Sequence, residues 1–229
     1  MKYKISDSVL PSVEIDVDGK DILYCEAGAM TYMSENMAMN STMKGGILSS
    51  ISRKLSGESL FMTEFSTKDG KTGHIAYSSS MPGRILPFNL KAGETLICQK
   101  DSFLAAEKSV TLESFFQKKI GRGLFGGEGF ILQKLTGPGT VFVEIDGDIM
   151  ERTLKQGETL QVGTGHVAII ESSVEFDVKM VEGVKNMIFG GEGLFLATLK
   201  GPGKVWIQTM PIRKLAGRII PFLPLSKSD

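Results

Sequence analysis

Lys91-Ala92-Gly93-Glu94-Thr95-Leu96 returns 64 residues later as Lys155-Gln156-Gly157-Glu158-Thr159-Leu160. At the same offset of 64, Phe125-Gly126-Gly127-Glu128-Gly129 returns as Phe189-Gly190-Gly191-Glu192-Gly193, and Gly137-Pro138-Gly139 as Gly201-Pro202-Gly203. Three separated motifs sharing one ungapped offset mark a tandem duplication, which has to be read before any single element. A further copy lies upstream: Gly57-Glu58 precedes Gly191-Glu192 by the same interval that separates Gly83-Arg84-Ile85-Leu86-Pro87-Phe88 from Gly217-Arg218-Ile219-Ile220-Pro221-Phe222. The chain reads as one compact unit over 1–229, built from three related copies with approximate limits 1–90, 91–154 and 155–229.

The content of each copy follows from period and punctuation. Phe130–Leu135 and Leu194–Leu199 are short apolar runs, each ended by Gly-Pro-Gly, a strong turn signal. Val141–Ile145 and Val205–Gln208 are β-branched and aromatic, and Asp146-Gly147 is a hairpin candidate. His166–Ile170 reads as a buried strand and Val174–Val178 alternates cleanly. Turn signals at short intervals without long helical periodicity predict an all-β chain, a duplicated antiparallel β-sandwich of jelly-roll or double-stranded-β-helix type. The exception is a helix or amphipathic loop near 45–55, where Ile47, Leu48, Ile51 and Leu55 share one face and Arg53 and Lys54 lie off it.

Composition narrows the function classes. The 229 residues carry 26 Lys+Arg against 26 Asp+Glu, so no basic excess is present to displace counterions from a phosphate backbone, which argues against a general nucleic-acid binder. No apolar run has bilayer-spanning length, and Met1–Val17 lacks the apolar core of a signal peptide. Cys25 and Cys98 read as free, reduced, buried thiols, so the expected location is the cytoplasm.

Motifs with chemical meaning are sparse. Gly121-Arg122-Gly123-Leu124-Phe125-Gly126 has dinucleotide-loop spacing, but it leads into a β-type run rather than a helix, and its copy at Lys185–Gly190 lacks the glycines. Gly70-Lys71-Thr72 ends like a phosphate loop, yet Phe65 stands where the first glycine is required. His74 and His166 do not repeat, and neither sits in a metal-ligand pattern. Met30, Met33, Met37, Met39 and Met43 read as filling for an irregular core or contact surface. Glu58, Gly127, Glu128, Gly191 and Glu192 read as turn positions whose carboxylates accept from glycine N–H groups, and Glu94 and Glu158 read the same way. No catalytic, cofactor-binding or metal-ligating residue is assigned.

The doubled Phe-Gly-Gly-Glu-Gly, the doubled Lys-x-Gly-Glu-Thr-Leu, the Gly-Pro-Gly-x-Val-[Phe/Trp] segments, Ala27-Gly28-Ala29-Met30 and Pro82-Gly83-Arg84 together resemble a family of bacterial and archaeal proteins. That family is related to the altered-inheritance-of-mitochondria protein twenty-four. The resemblance covers nearly the whole chain. It implies a duplicated β-sandwich like that of the trp RNA-binding attenuation protein, a tendency to self-associate, and no established enzyme activity or ligand.

The expected function is therefore a non-enzymatic, homo-oligomeric scaffold or interaction protein that docks on a membrane surface or a protein partner. The candidate docking residues are Ile47, Leu48, Ile51 and Leu55 in one apolar-basic segment, and Phe115, Phe116, Ile120 and Leu124 in its counterpart. The rival readings are a small-ligand module with sites between repeats or subunits, and an enzyme of unrecognised type. The ligand and the subunit number are not legible in the sequence.

Overall fold

The computed structural model describes residues 1–26, 28–41, 62–118, 130–180 and 195–222. After β1 (Lys2–Ile5), the strands fall into three sets of six. The first set is β2 (Ser12–Val17), β3 (Leu23–Glu26), β4 (Met30–Met33), β5 (Met37–Ser41), β6 (Met62–Thr67) and β7 (Gly73–Ser78). The second is β8 (Gly83–Leu90), β9 (Thr95–Gln99), β10 (Phe103–Glu107), β11 (Thr111–Lys118), β12 (Phe130–Thr136) and β13 (Gly139–Asp146). The third is β14 (Ile149–Leu154), β15 (Thr159–Gly163), β16 (Val167–Glu171), β17 (Glu175–Met180), β18 (Phe195–Lys200) and β19 (Gly203–Gln208), followed by helix α1 (Ile212–Ile219). The strands expected at 130–135, 141–145, 166–170, 174–178 and 205–208 are present, each covering its expected stretch to within one residue, and the described part of the run expected at 194–199 is strand from Phe195.

Pairing is antiparallel throughout, and it recurs residue for residue. In β13·β8 the register runs Gly139↔Leu90 to Asp146↔Gly83; in β19·β14 it runs Gly203↔Leu154 to Gln208↔Ile149, each pair displaced by 64. The first strand of every set pairs with the last, as β2·β7, β8·β13 and β14·β19. Even the irregularity repeats: the register slips once between Met30 and Tyr32, between Phe103 and Ala105, and between Val167 and Ile169.

Each set is a two-layer sandwich with its own core. In the second, Leu90, Phe103, Val141 and Val143 close on Leu96, Cys98, Leu112 and Leu135. In the first, Val13, Ile15, Ile75 and Tyr77 close on Leu23, Cys25, Met37 and Phe65. In the third, Leu154, Ile170, Val205 and Ile207 close on Val162, Val178, Ala197 and Leu199. Burial of each large apolar side chain contributes about 1.5–3 kcal/mol, so these cores, not the turns, carry the stability.

Successive sandwiches are joined because sheets are shared. The sheet β5-β6-β3-β10-β13-β8 takes three strands from the first set and three from the second, and β11-β12-β9-β16-β19-β14 does so for the second and third. The two remaining sheets, β1-β2-β7-β4 and β15-β18-β17, are half-sheets at the two ends of this series. The sequence pattern follows this division. From Thr140 to Ile145 every β13 residue is buried, whereas β2 alternates buried Val13, Ile15 and Val17 with exposed or half-buried Ser12, Glu14 and Asp16.

The Lys-x-Gly-Glu segments form turns, but the donor to each glutamate carboxylate is the lysine N–H and not the glycine N–H expected. Gly93 and Gly157 sit at φ 79° and 78°, which favours glycine. The Glu94 carboxylate accepts from Lys91 N–H at 2.8 Å, and Glu158 from Lys155 N–H at 2.9 Å. Each turn clasps its Gly-Pro-Gly partner: Gly137 N–H donates to Glu94 O at 3.0 Å, and Gly201 N–H to Glu158 O at 2.9 Å.

The stretch near 45–55 is the one expected to depart from β structure, yet the described helix is α1 at Ile212–Ile219. Gly217–Phe222 matches Gly83–Phe88 in sequence, but the latter lies in strand β8 while the former lies in α1 and the 3-10 turn that follows it. The reason is the pairing rule above. A first strand needs the last strand of its own set, and among the described residues no strand pairs with this segment. Without a ladder the segment satisfies its backbone locally, as a helix does. The helix or loop expected near 45–55 lies outside the described residues.

A Cβ on Gly137 or Gly201 would lie 2.4 Å from the carbonyl oxygen of Lys91 or Lys155, whereas at Gly93 and Gly157 it would meet nothing. Gly201→Ala is therefore expected to lower the unfolding free energy by about 1–3 kcal/mol through backbone displacement. Gly157→Ala should show only the smaller positive-φ strain, about 1 kcal/mol. Urea titration of the two variants checks the order.

Candidate functional site

The candidate residues from the sequence separate into two groups. Ile47, Leu48, Ile51, Leu55, Ile120 and Leu124, and the turn positions Glu58, Gly127, Glu128, Gly191 and Glu192, lie outside the described residues. Phe115 and Phe116 lie on β11, not in a loop. Phe115 is 49% exposed, while Phe116 is half-buried, edge-on to Phe176 at 5.1 Å and packed on the third sandwich. Only Phe115 of the two faces solvent.

Two features escaped the sequence reading. The first is a polar cluster at one end of the shared sheet β5-β6-β3-β10-β13-β8. Glu144, at the buried end of β13, accepts from Ser79 Oγ at 2.6 Å, Ser80 N–H at 2.8 Å and Ser80 Oγ at 2.9 Å. Glu26, at the end of β3, has an Oε1 atom that is buried without a hydrogen-bond partner among the described residues. Burial raises the Glu26 carboxyl to about 7; Asp101 and Glu144 add to the shift and Lys100 opposes it. Asp146 is raised to about 6, by burial first and by Glu144 and Asp101 after it, against a hydrogen bond from Ile212 N–H at 3.2 Å.

The next shared sheet holds the same two positions with amides. Gln99 stands where β3 has Glu26, and Gln208 where β13 has Glu144, as their ladder partners show: Glu26↔Met62 with Gln99↔Leu132, and Glu144↔Ile85 with Gln208↔Ile149. Gln208 Nε2 donates to Gln99 Oε1 at 3.2 Å and to Gly165 O at 2.8 Å. An amide can donate where an ionised carboxylate cannot. Protonated Glu26 supplies the donor its ionised form lacks.

Burial pushes the Cys25 thiol up to about 12 and Cys98 upward as well, so neither offers a thiolate. His74 Nδ1 lies 2.8 Å from Asp16 on an exposed face, and His166 Nδ1 lies 2.7 Å from the Gln208 carbonyl oxygen. Among the described residues no three His, Cys, Asp or Glu side chains converge as a metal site would need. A shallow open hollow of about 580 Å³ beside Gly83 and Gly147 contains Arg84, whose guanidinium is already paired with Asp7 at 2.9 Å.

The second feature is α1. Ile212, Leu215, Ala216 and Ile219 fall on one face at helical spacing, and Lys214 and Arg218 on the other. The apolar face has little cover: Ile212 is 46% exposed, Ile219 47%, and in the following turn Ile220 is 49% and Phe222 86% exposed. No helix among the described residues is long and apolar enough to cross a membrane.

Three linked antiparallel sandwiches, turned by doubled Lys-x-Gly-Glu and Gly-Pro-Gly motifs, define the class of protein. The family model described as "Mitochondrial biogenesis AIM24" matches residues 3–210, and the chain belongs to that family. It is similar to an uncharacterised protein, M6_Spy0233, of Streptococcus pyogenes serotype M6, at 31% identity over 239 residues covering all of this chain and 93% of the relative. It is also similar to the crystal structure of protein SPYM3_0169 from Streptococcus pyogenes. That likeness has 27% identity and a TM-score of 0.80, and covers 97% of this chain and 99% of the other.

Because the folded state holds a proton on Glu26 more tightly than the unfolded chain does, stability contributed by protonated Glu26 is lost as pH rises from about 4.5 through about 7. Glu26→Gln is expected to flatten that part of the thermal-stability profile and to stabilise the protein at pH 7.5 by roughly 2 kcal/mol. The slope due to Asp146 should remain. Melting curves between pH 4.5 and 7.5 measure both.

Proposed function

We propose that this protein is a non-enzymatic interaction module that docks on an anionic membrane surface from the cytoplasmic side. The observation that carries the reading is α1, whose exposed apolar stripe is backed by Lys214 and Arg218. A short helix that segregates apolar from basic side chains lies in the plane of a lipid interface, its apolar side in the acyl boundary and its cations at anionic headgroups. Phe222 and Ile220 extend the apolar side beyond the last helical turn. An interior role does not suit these residues, since side chains built for a core are seldom left this open together.

The non-enzymatic part of the reading is supported by the chemistry of the described residues. Glu144 is held by three donors, and burial keeps both thiols protonated. The raised Glu26 and Asp146 carboxyls belong to a strand-end cluster rather than to a cleft with a converging nucleophile. Free, buried Cys25 and Cys98 suit a reducing compartment.

Flotation with vesicles is the direct test. The protein is expected to float with vesicles containing phosphatidylserine and to remain at the bottom with phosphatidylcholine alone. Ile219→Asp should reduce flotation at least tenfold, and Lys214→Glu with Arg218→Glu should abolish the preference for anionic lipid. Absence of flotation by the unmodified protein, or flotation indifferent to all three substitutions, overturns the reading.

A further inference from the structure

The two inner sheets are completed by the same junction. In the first, β3 pairs with β10 as Cys25↔Ala105, Tyr24↔Ala106 and Leu23↔Glu107. In the second, β9 pairs with β16 as Cys98↔Ile169, Ile97↔Ile170 and Leu96↔Glu171. Each junction joins the second strand of one set to the third strand of the next. The chain contains one more strand of each kind: β15 is the second strand of the last set, and β4 the third strand of the first. Among the described residues β15 pairs only with β18, and β4 only with β7.

These two strands look like interior strands left at an edge. Their counterparts β9, β10 and β16 are buried at four of five positions. Tyr32 of β4, in the position of fully buried Ala105 and Ile169, is 49% exposed, and Gln161 of β15, in the position of Ile97, is exposed. Neither strand carries the charges or proline that blunt a natural sheet edge. The edge strands β1, β8, β11, β14 and β17 all do, with Lys, Arg, Glu, Asp or Pro87 in their sequences. Edge strand β5 carries none either, but its counterparts β11 and β17 are edges too, so no internal junction prescribes a partner for it.

We infer that β15 of one molecule pairs antiparallel with β4 of a second copy of this chain. The two terminal half-sheets then become one continuous sheet, six strands in the order of the inner type with β1 as a seventh at its edge. The internal junctions set the register: Val162↔Tyr32, Gln161↔Met33 and Leu160↔Ser34. The occupant is identified by that geometry, because the surface complementary to each edge already exists at the other end of the same chain. The contact is heterologous, so it propagates head to tail into a ring or a filament rather than closing as a two-fold dimer. It uses no residue of α1 and goes beyond the membrane reading.

Light scattering on the purified full chain tests this. The unmodified protein is expected to have a mass of several chains. Tyr32→Lys and Gln161→Lys, both at exposed positions and so compatible with folding, should each give the mass of one chain with an unchanged far-ultraviolet spectrum. Mixing the two variants is the sharper measurement. Each retains one good edge, so the mixture should recover a species of two chains and no more. Oxidised Tyr32→Cys/Val162→Cys protein should cross-link between chains. The inference is overturned by a single-chain mass for the unmodified protein, by assembly that survives both substitutions, by a mixture that stays at one chain, or by a cross-link formed within one chain.

Discussion

The molecule depends on strand pairing between sets, at β3·β10 and β9·β16. Each sandwich has a six-strand core, yet half of every inner sheet belongs to a neighbour. The junction ladders satisfy backbone groups that would otherwise be buried and unpaired, at a cost comparable to a lost hydrogen bond each. They also bring residues remote in sequence into one core: Tyr24 of the first set packs with the second, stacked on Phe103 at 5.4 Å, and Phe88 of the second set meets Trp206 of the third edge-on at 5.5 Å. Without the junctions the sets would expose their most apolar strands.

The polar cluster follows from the same constraint. β3 and β13 flank β10 in the shared sheet, so the Glu144 charge reaches Glu26 across one intervening strand. In the next sheet the equivalent pair is Gln99 and Gln208, and amides satisfy each other there without a proton from solvent. The carboxylate version is coupled to pH where the amide version is not, because only a carboxyl must gain a proton to become a donor. Glu144 is provided with three donors by Ser79 and Ser80, which leaves Glu26 as the member whose charge burial opposes.

The described segments that flank the three sets differ in kind. At the start, β1 adds to β2 and gives that half-sheet a lysine-bearing edge. At the finish, the segment that resembles β8 coils into α1 and turns its apolar side outward. Lys214 and Arg218 lie on the other face of the helix. The same run of residue types is thus a ladder strand in one context and an amphipathic helix in another. The presence of a partner strand decides which.

Much of the fold was legible locally. Glycine in the Lys-x-Gly-Glu and Gly-Pro-Gly turns, β-branched runs between them and the common offset of 64 are properties of short segments, and short segments are what sequence displays. Glu94 and Glu158 could be read as turn acceptors because their donors lie three residues away. The burial of Phe116, the approach of Glu26 to Glu144 and the helical state of Gly217–Ile219 could not be read. Each is set by a residue or strand distant along the chain, or by the lack of one. Sequence by itself determined the strands, the turns and the family; tertiary structure decided which strands become interior, which carboxyl is starved of water and where apolar surface stays open. Propensity acts over a few neighbouring residues, whereas burial and ladder pairing are assigned only once the whole chain has closed on itself.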